Sequence, residues 1–372
     1  MRINSRALPE RLATLSLLIL VWLTFDLLAS SSWFSTPPHK IARQAMLPLK
    51  APLLEVSGIT RHLSRPQHYW AHNDSLDQAR LFLVSAQGTL IGEHRVYSSQ
   101  RARVSNIDWE DLTATHQDPY DGSRVIYVAD SGNNFHWRDN LQVYAFAEPQ
   151  KVGEALRLLR AYPYRFPHQR RHPPRNYDSR RGRCLDSEAL FWWRGELFLI
   201  GKCVFGGPTV LWRLPRERLK PTKQRFGTQQ NAEDTVQNQD HQDRPITLEA
   251  ISMLEIKPAP HPLSERVTGA AVDQDILAVL TYRSVWFFRL SGDPRSPLSQ
   301  LLFRCGLTQA SAQPVRQAEA IEWGIHAPEK SSRVSSLNSS LRSLLILTEG
   351  RGVHNLSVDM SRQECPHESS LL

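Results

Sequence analysis

The strongest constraint on the fold is a two-strand unit that recurs five times along the 372 residues. Each unit opens with a short strand of small or acidic residues, and a strongly apolar strand follows and ends in polar residues. A repeated strand unit is typical of an array in which neighbouring units bury one another. The opening strands are predicted at Val56–Ile59, Trp109–Leu112, Ser187–Leu190, Thr268–Ala271 and Ala318–Ile321.

Strand candidates rich in aromatic and β-branched residues fill the rest of each unit, and no amphipathic helix of useful length interrupts them. The chain is therefore predicted to be all-β. Five units of about four strands favour a single β-propeller, which pairs its strands around a channel and leaves few open edges. Five blades are favoured, with six as the alternative if an insertion hides one. The blades are predicted at 55–97, 106–165, 186–256, 267–306 and 317–360.

The propeller is predicted to occupy 51–360, with a C-terminal tail at 361–372. The last blade lacks an outermost strand. Residues 32–50 are predicted to be a tether, and the part near 42–50 is a candidate for the strand that closes the ring.

The first residues resemble a targeting segment, because Arg2, Arg6 and Arg11 precede an apolar run from Leu12 to Ala29. The run is slightly shorter than the ~20 residues of a spanning helix, and small residues that suit signal cleavage follow it. Residues 1–31 are therefore predicted to be a signal peptide or a membrane anchor. Arginines stay on the cytoplasmic side, so the body is predicted in the periplasm, secreted or anchored to the inner membrane.

The net charge of +8 favours anionic partners. Much of the excess positive charge lies in an insertion at 165–183, which has seven arginines and one acidic residue. This insertion is predicted to be an exposed loop, either simply solvated or in contact with anionic lipid head groups. The predicted location argues against nucleic acid as a partner.

The four cysteines form no C-x-x-C pair, which argues against a zinc or thioredoxin-like site. In an exported chain they can form disulfides. The segment between Cys184 and Cys203 is predicted to be a hairpin with its turn at Arg194-Gly195, so the two cysteines face each other where the hairpin opens. A Cys184–Cys203 disulfide is predicted, with Cys305–Cys365 as a second pair.

Several short motifs follow one another in an order that resembles a group of largely uncharacterised bacterial β-propellers, loosely related to the phytase-like propellers. The resemblance covers about residues 53–358, although Leu76 stands where glycine is expected and the basic insertion replaces a short turn before Asp186. The motifs are Ser57-Gly58, Trp70-Ala71-His72-Asn73-Asp74-Ser75, Asp108-Trp109-Glu110-Asp111, Ala129-Asp130-Ser131-Gly132-Asn133-Asn134 with Arg138, Asp186-Ser187-Glu188-Ala189, Val267-Thr268-Gly269-Ala270, Thr281-Tyr282 and Gln317-Ala318-Glu319-Ala320-Ile321.

The polar strand ends are predicted to converge at one rim of the channel, because the innermost strands of a propeller line the channel and end at the same rim. This rim is the candidate ligand site. Its predicted residues are His72, Asn73, Asp74, Asp108, Glu110, Asp111, Asp130, Asn134, Arg138, Asp186, Glu188, Lys202, Arg283, Glu319 and Glu349.

Clustered carboxylates repel one another, so the rim requires positive charge to offset the repulsion. The candidates are the cations Arg138, Lys202 and Arg283, or a bound Ca²⁺, which takes ~6–8 oxygen ligands. Close carboxylates also raise one another's pKa and can prepare an acid/base pair. The alternative is that these side chains only cap turns or tie blades together. The predicted metal ligands are Asp74, Asp111, Asp130 and Glu188.

The leading functional hypothesis is a binding or scaffold propeller with a small molecule or an envelope protein at the channel mouth. The resemblance implies a second hypothesis, a phosphoesterase in which Ca²⁺ neutralises phosphate and orients water. A purely structural envelope protein is the third. The sequence has no G-x-G-x-x-G, G-x-S-x-G or H-E-x-x-H motif, so whether the chain is an enzyme stays open.

The predicted topology is tested by a reporter that is active only in the cytoplasm, fused at the C-terminus. We expect it to be silent, because the basic residues hold only the N-terminus inside. Strong reporter activity would overturn the predicted location.

Overall fold

A computed structural model describes residues 52–75, 77–96, 104–119, 122–167, 185–202, 209–215, 245–256, 265–290, 292–295, 300–306, 318–324, 341–348 and 352–360. Within these ranges every regular element is a β-strand. In chain order the strands are β1 Val56–Arg61, β2 His68–Asn73, β3 Arg80–Ser85, β4 Leu90–Arg95, β5 Trp109–Thr115, β6 Val125–Asp130, β7 Gln142–Ala147, β8 Arg157–Arg165, β9 Ser187–Trp193, β10 Glu196–Gly201, β11 Thr209–Leu214, β12 Ile246–Thr247, β13 Glu249–Leu254, β14 Val267–Asp273, β15 Ile276–Thr281, β16 Ser284–Arg289, β17 Gln300–Gly306, β18 Ala318–Trp323, β19 Leu341–Thr348 and β20 Gly352–Asp359.

The strands form five sheets. Within each sheet, neighbouring strands are antiparallel and follow chain order, except for the short strand β12. The first strand of each sheet (β1, β5, β9, β14 or β18) contacts the first strand of both neighbouring sheets, so these inner strands close a ring. Five sheets arranged around one channel form a five-bladed β-propeller. The all-β prediction and the favoured blade number are confirmed, and the described residues contain no sixth sheet.

The hydrophobic core lies between the blades. The buried apolar side chains form five clusters, one for each pair of neighbouring blades. Because each sheet is covered on both faces, its middle strands are near-continuous apolar runs rather than alternating ones. Every residue of β6, β10 and β15 is buried.

Two blades depart from the four-strand pattern. The short strand β12 lies parallel to β8, with Ile246 opposite Tyr164, and extends blade two by one strand. Blade five has three described strands, β18 to β20. The predicted closing strand near 42–50, the segment 1–31 and the tail 361–372 lie outside the described residues.

The inner strands are tied together by the buried carboxyl group of Asp111 in β5. Its oxygens accept hydrogen bonds from the backbone N–H groups of Leu112 at 2.8 Å, Leu190 at 2.8 Å and Ala270 at 3.3 Å. The last two donors belong to β9 and β14, so one side chain connects three blades. In β18, Glu322 makes a similar tie by accepting from the Thr60 hydroxyl and the Arg61 N–H of blade one.

Cys305 in β17 is fully buried and disulfide-bonded. The other three cysteines, and with them the predicted Cys184–Cys203 pair, lie outside the described residues. Those pairings stay predictions. Within the described ranges no helix has the length and apolarity to cross a membrane.

Replacing Asp111 tests its role as a tie between blades. Asp111→Ala leaves three backbone N–H groups without their acceptor in the buried channel, and each such group costs ~1–3 kcal/mol. We expect the free energy of unfolding, measured by urea denaturation, to fall by about 3 kcal/mol or more. The control is Asp139→Ala, which removes an exposed carboxyl group. Equal stability of the two variants would contradict this role.

Candidate functional site

A β-bulge at the second residue of each inner strand builds one end of the ring. A bulge inserts an unpaired residue and re-aims its side chain. Because the inner strands are equivalent, the five bulges lie at the same end of the ring. The bulged residues are Ser57, Glu110, Glu188, Thr268 and Glu319.

The two hydroxyl side chains among these residues bond to the next blade. Ser57 Oγ donates to the carbonyl oxygen of Glu110 at 2.8 Å, and Thr268 Oγ1 donates to that of Ala318 at 2.6 Å. The remaining three bulges contribute glutamates. Together with nearby strand-end residues they form what we call the acidic mouth, which consists of Asp74, Asp108, Glu110, Asp186, Glu188, Glu319 and Lys202.

Three carboxyl groups of the acidic mouth meet at its blade-one and blade-two side. Asp74 follows β2, Asp108 precedes β5 and Glu110 is the bulge of β5. One oxygen from each of the three lies within 4.8 Å of the other two. Asp74 and Asp108 are half-buried, whereas Glu110 is buried, so the cluster is partly open to solvent.

Gly132 makes this close approach feasible. It follows β6 and packs directly against two of the carboxyl groups. A Cβ atom at this position would lie 2.1 Å from Glu110 Oε1 and 2.2 Å from Asp108 Oδ2. Any side chain here would therefore push the carboxyl groups apart.

The other side of the acidic mouth contains its cation. Lys202 follows β10, and its Nζ lies 2.8 Å from Glu188 Oε1 and 5.5 Å from the Tyr282 ring centroid. Burial alone would lower the pKa of Lys202. The attraction of Glu188, Tyr282, Glu110 and Glu319 outweighs burial and holds that pKa well above its ordinary value. All three bulge glutamates therefore act on one lysine.

Burial makes the carboxyl groups weak acids. Removal from water, followed by repulsion from Glu188 and then from other carboxylates, raises the pKa of Asp74 to about 6. Burial and repulsion from Asp74 and Glu188 raise the pKa of Asp108 to about 7. Burial also raises the pKa values of Glu110 and Asp186 well above their ordinary values, and the negative charge of Glu188 is the next largest cause. Near neutral pH a bound cation would compete with the protons on these groups, because it favours their ionised form.

Asp186 has an unused acceptor. Its carboxyl group is fully buried, and Oδ1 accepts the N–H of Asn133 at 2.7 Å. Among the described residues no donor reaches Oδ2. Asp186 interacts electrostatically with Glu188, Lys202 and Asp108, so this unused oxygen belongs to the same charged network.

Several other predicted site residues form hydrogen bonds to neighbouring protein groups. Asp130 Oδ1 accepts from Arg138 Nη2 at 2.7 Å and from the Asp108 N–H at 3.1 Å. His72 is fully buried, donates from Nδ1 to the carbonyl oxygen of Asn73 at 2.9 Å and has its pKa lowered by burial to about 4. Of the four predicted metal ligands, Asp74 belongs to the three-carboxylate cluster, Asp111 and Asp130 accept the bonds described above, and Glu188 faces Lys202.

The remaining predicted residues are not among the three clustered carboxylates, and one lies outside the described ranges. Asn73 Nδ2 donates to the carbonyl oxygen of Pro52 at 2.7 Å. Arg283 is exposed, Asn134 is half-buried and Glu349 lies outside the described residues.

Sequence reasoning missed Gly132, Tyr282 and Arg266 as parts of the site. Burial lowers the pKa of Arg266, although Tyr282, Asp186 and Glu188 favour its charged form. Gly132 and Tyr282 belong to recognised motifs, but only the packing shows that one accommodates two carboxyl groups and that the other faces Lys202.

No family model and no curated protein matches this chain. Similar solved structures include glutaminyl cyclase from Myxococcus xanthus, at 11% identity and a TM-score of 0.39, covering 86% of this chain and 100% of that one. Sqt1 from Chaetomium thermophilum has 12% identity and a TM-score of 0.31, covering 84% and 61%. A 6-phosphogluconolactonase-like protein from Bacteroides fragilis has 11% identity and a TM-score of 0.33, covering 83% and 69%. At these values the similarities say nothing about ligand or activity.

The raised pKa of Asp108 predicts a stability that depends on pH. A folded-state pKa of about 7 exceeds the unfolded value of ~3.9, so the carboxyl group destabilises the metal-free fold increasingly as the pH rises from about 4 to 7. We expect Asp108→Asn to be more stable than the wild type at pH 8, by on the order of 2 kcal/mol, and nearly equal to it at pH 4. Urea denaturation in chelator measures this difference, with Asp139→Asn as the control. A difference independent of pH would contradict the raised pKa.

Proposed function

We propose that this chain is a cation-dependent binding propeller, with a divalent cation held at the acidic mouth by Asp74, Asp108 and Glu110. The separation of their oxygens supports the proposal. Two oxygens that bind the same Ca²⁺ at ~2.3–2.6 Å are at most about 5 Å apart, and the three oxygens lie within 4.8 Å of one another. The donors are all oxygens, which favours a hard cation such as Ca²⁺ over zinc or copper.

The charge balance also supports a cation. Six carboxyl groups share the acidic mouth with Lys202, which pairs with Glu188 at 2.8 Å. Burial first, and then repulsion from neighbouring carboxylates, with Glu188 acting on all three, keeps the pKa values of Asp74, Asp108 and Glu110 raised. A divalent cation would displace the protons and lower all three pKa values at once.

The bound cation would complete a site for a small molecule or for part of an envelope protein. Calcium usually keeps ligand positions beyond those that three carboxylates fill, and oxygens of the guest could occupy them. In this proposal the propeller stands outside the cytoplasm, and the insertion at 165–183 contacts anionic lipid.

A second candidate function is a Ca²⁺-assisted phosphoesterase, which the resemblance to phytase-like propellers implies. The observation in its favour is Asp108, whose pKa of about 7 suits a group that exchanges a proton at neutral pH. The cations of this region are already paired, Arg138 with Asp130 at 2.7 Å and Lys202 with Glu188 at 2.8 Å. We therefore place binding first, with hydrolysis as the alternative and a purely structural role as the third.

The proposed cation site predicts Ca²⁺-dependent stability. We expect the purified protein to bind about one Ca²⁺ at this site, and free Ca²⁺ at 100 times its Kd to stabilise the fold by ~2.7 kcal/mol. Glu110→Gln should weaken the binding measured by calorimetry by about tenfold or more. The matched control Asp139→Asn should bind as the wild type does.

A glycine pair separates the cation site from general stability. Gly132→Ala places a Cβ atom against Glu110 and Asp108, whereas at Gly292 the nearest atom to a new Cβ lies 3.8 Å away. We expect only the first variant to lose Ca²⁺ binding. Release of phosphate from p-nitrophenyl phosphate that stops in chelator would favour the phosphoesterase. Absence of both Ca²⁺ binding and turnover would leave the structural role.

A further inference from the structure

The other end of the ring contains an open cavity of about 960 Å³. It lies where the inner strands end, and four blades contribute to its lining. The acidic mouth is at the beginning of the same strands, roughly 20 Å away, because β5 has seven residues at about 3.3 Å each. The cavity is therefore separate from the cation site.

An aromatic wall faces this cavity. Trp192 is the one residue of β9 that is not buried, and it lines the cavity. Its ring stacks on that of Tyr127, with centroids 5.4 Å apart and planes 9° from parallel. Tyr127 is fixed in turn, because its hydroxyl donates to Asp118 Oδ2 at 2.9 Å. Tyr127 and Asp118 thus support one face of the Trp192 ring.

Two residues that line the cavity, Arg61 and Trp192, carry hydrogen-bond donors with no acceptor among the described residues. Arg61 Nε lies 3.6 Å from Glu322 Oε1, and no described residue accepts from its two terminal nitrogens. The same holds for the indole N–H of Trp192 among the described residues. An arginine fork of this kind matches the two oxygens of a carboxylate, and an aromatic face packs against a ring.

Hydrogen bonds join the turns that form the rim of the cavity. Arg194 and Gln274 have left-handed backbones, with φ of 48° and 55°, in the turns that border the cavity from blades three and four. Arg194 Nη1 donates to the Gly292 carbonyl oxygen at 2.6 Å, and Nη2 donates to Asp275 Oδ1 at 3.1 Å. Non-glycine residues hold such backbones only where their surroundings enforce them. These bonds connect the turn of blade three to blade four at the rim of the cavity.

We propose that this cavity is a second ligand site, which binds a six-membered ring that carries a carboxylate. The ring stacks on Trp192 and the carboxylate binds the fork of Arg61. An aromatic acid and an acidic sugar share this chemistry. The site does not depend on the cation proposed for the acidic mouth.

Ligand-observed NMR titration of the purified full chain tests the site with benzoate, galacturonate and the neutral methyl galactoside. We expect at least one of the two acids to bind at millimolar concentration and the neutral sugar to bind about tenfold more weakly or not at all. Binding of benzoate alone, of galacturonate alone or of both supports the proposal and identifies the source. Absence of binding by both acids up to ~20 mM, or equal binding of the neutral sugar, would overturn it.

Variants locate the binding. Arg61→Gln should weaken acid binding by about tenfold, Arg61→Lys by less, and Trp192→Phe should retain binding because it keeps an aromatic face. Arg95→Gln is the matched control, because Arg95 is an exposed arginine of blade one that does not line the cavity, and this variant should bind the acids as the wild type does. Thermal melting checks that each variant is folded. Wild-type affinity in a folded Arg61→Gln variant would overturn the assignment.

Discussion

The propeller depends on the carboxyl group of Asp111, which accepts backbone hydrogen bonds from three inner strands. Backbone N–H groups that face a channel have no neighbouring strand to bond with, and leaving them unpaired in a dry interior is costly. One carboxyl group solves this problem for β5, β9 and β14 at once. These three inner strands are thereby tied together, and their bulged beginnings and their turns lie at opposite ends of the ring.

The acidic mouth is costly for the fold. Three carboxyl groups share a partly buried space, and their raised pKa values express the free energy that charging them would require. Gly132 keeps them close where a larger residue would separate them. Such an arrangement opposes stability and serves function when a charged guest completes it. Lys202 offsets part of the repulsion, although its nearest partner is Glu188.

Much of the fold could be predicted from the sequence, because the apolar runs of the repeat correspond to the strands that are buried on both faces. Doubly covered strands such as β6 and β15 are apolar runs, and the turns between them mark the blade edges. The residues of the proposed cation site were harder to predict from the sequence. Glu110 and Asp111 are adjacent acids in one motif, yet the bulge directs Glu110 to the mouth, while Asp111 bonds to residues 79 and 159 positions away. Strand β12 has only two residues, Ile246 and Thr247, which are too few to show a pattern.

The central claim is that carboxyl groups from two blades hold one cation. Anomalous diffraction from crystals grown with Mn²⁺, an oxygen-seeking ion that stands in for Ca²⁺, tests it most directly. The account predicts one strong anomalous peak at about 2.0–2.6 Å from an oxygen of each of Asp74, Asp108 and Glu110. No peak at the acidic mouth, with these carboxyl groups fully occupied by protein donors, would contradict it.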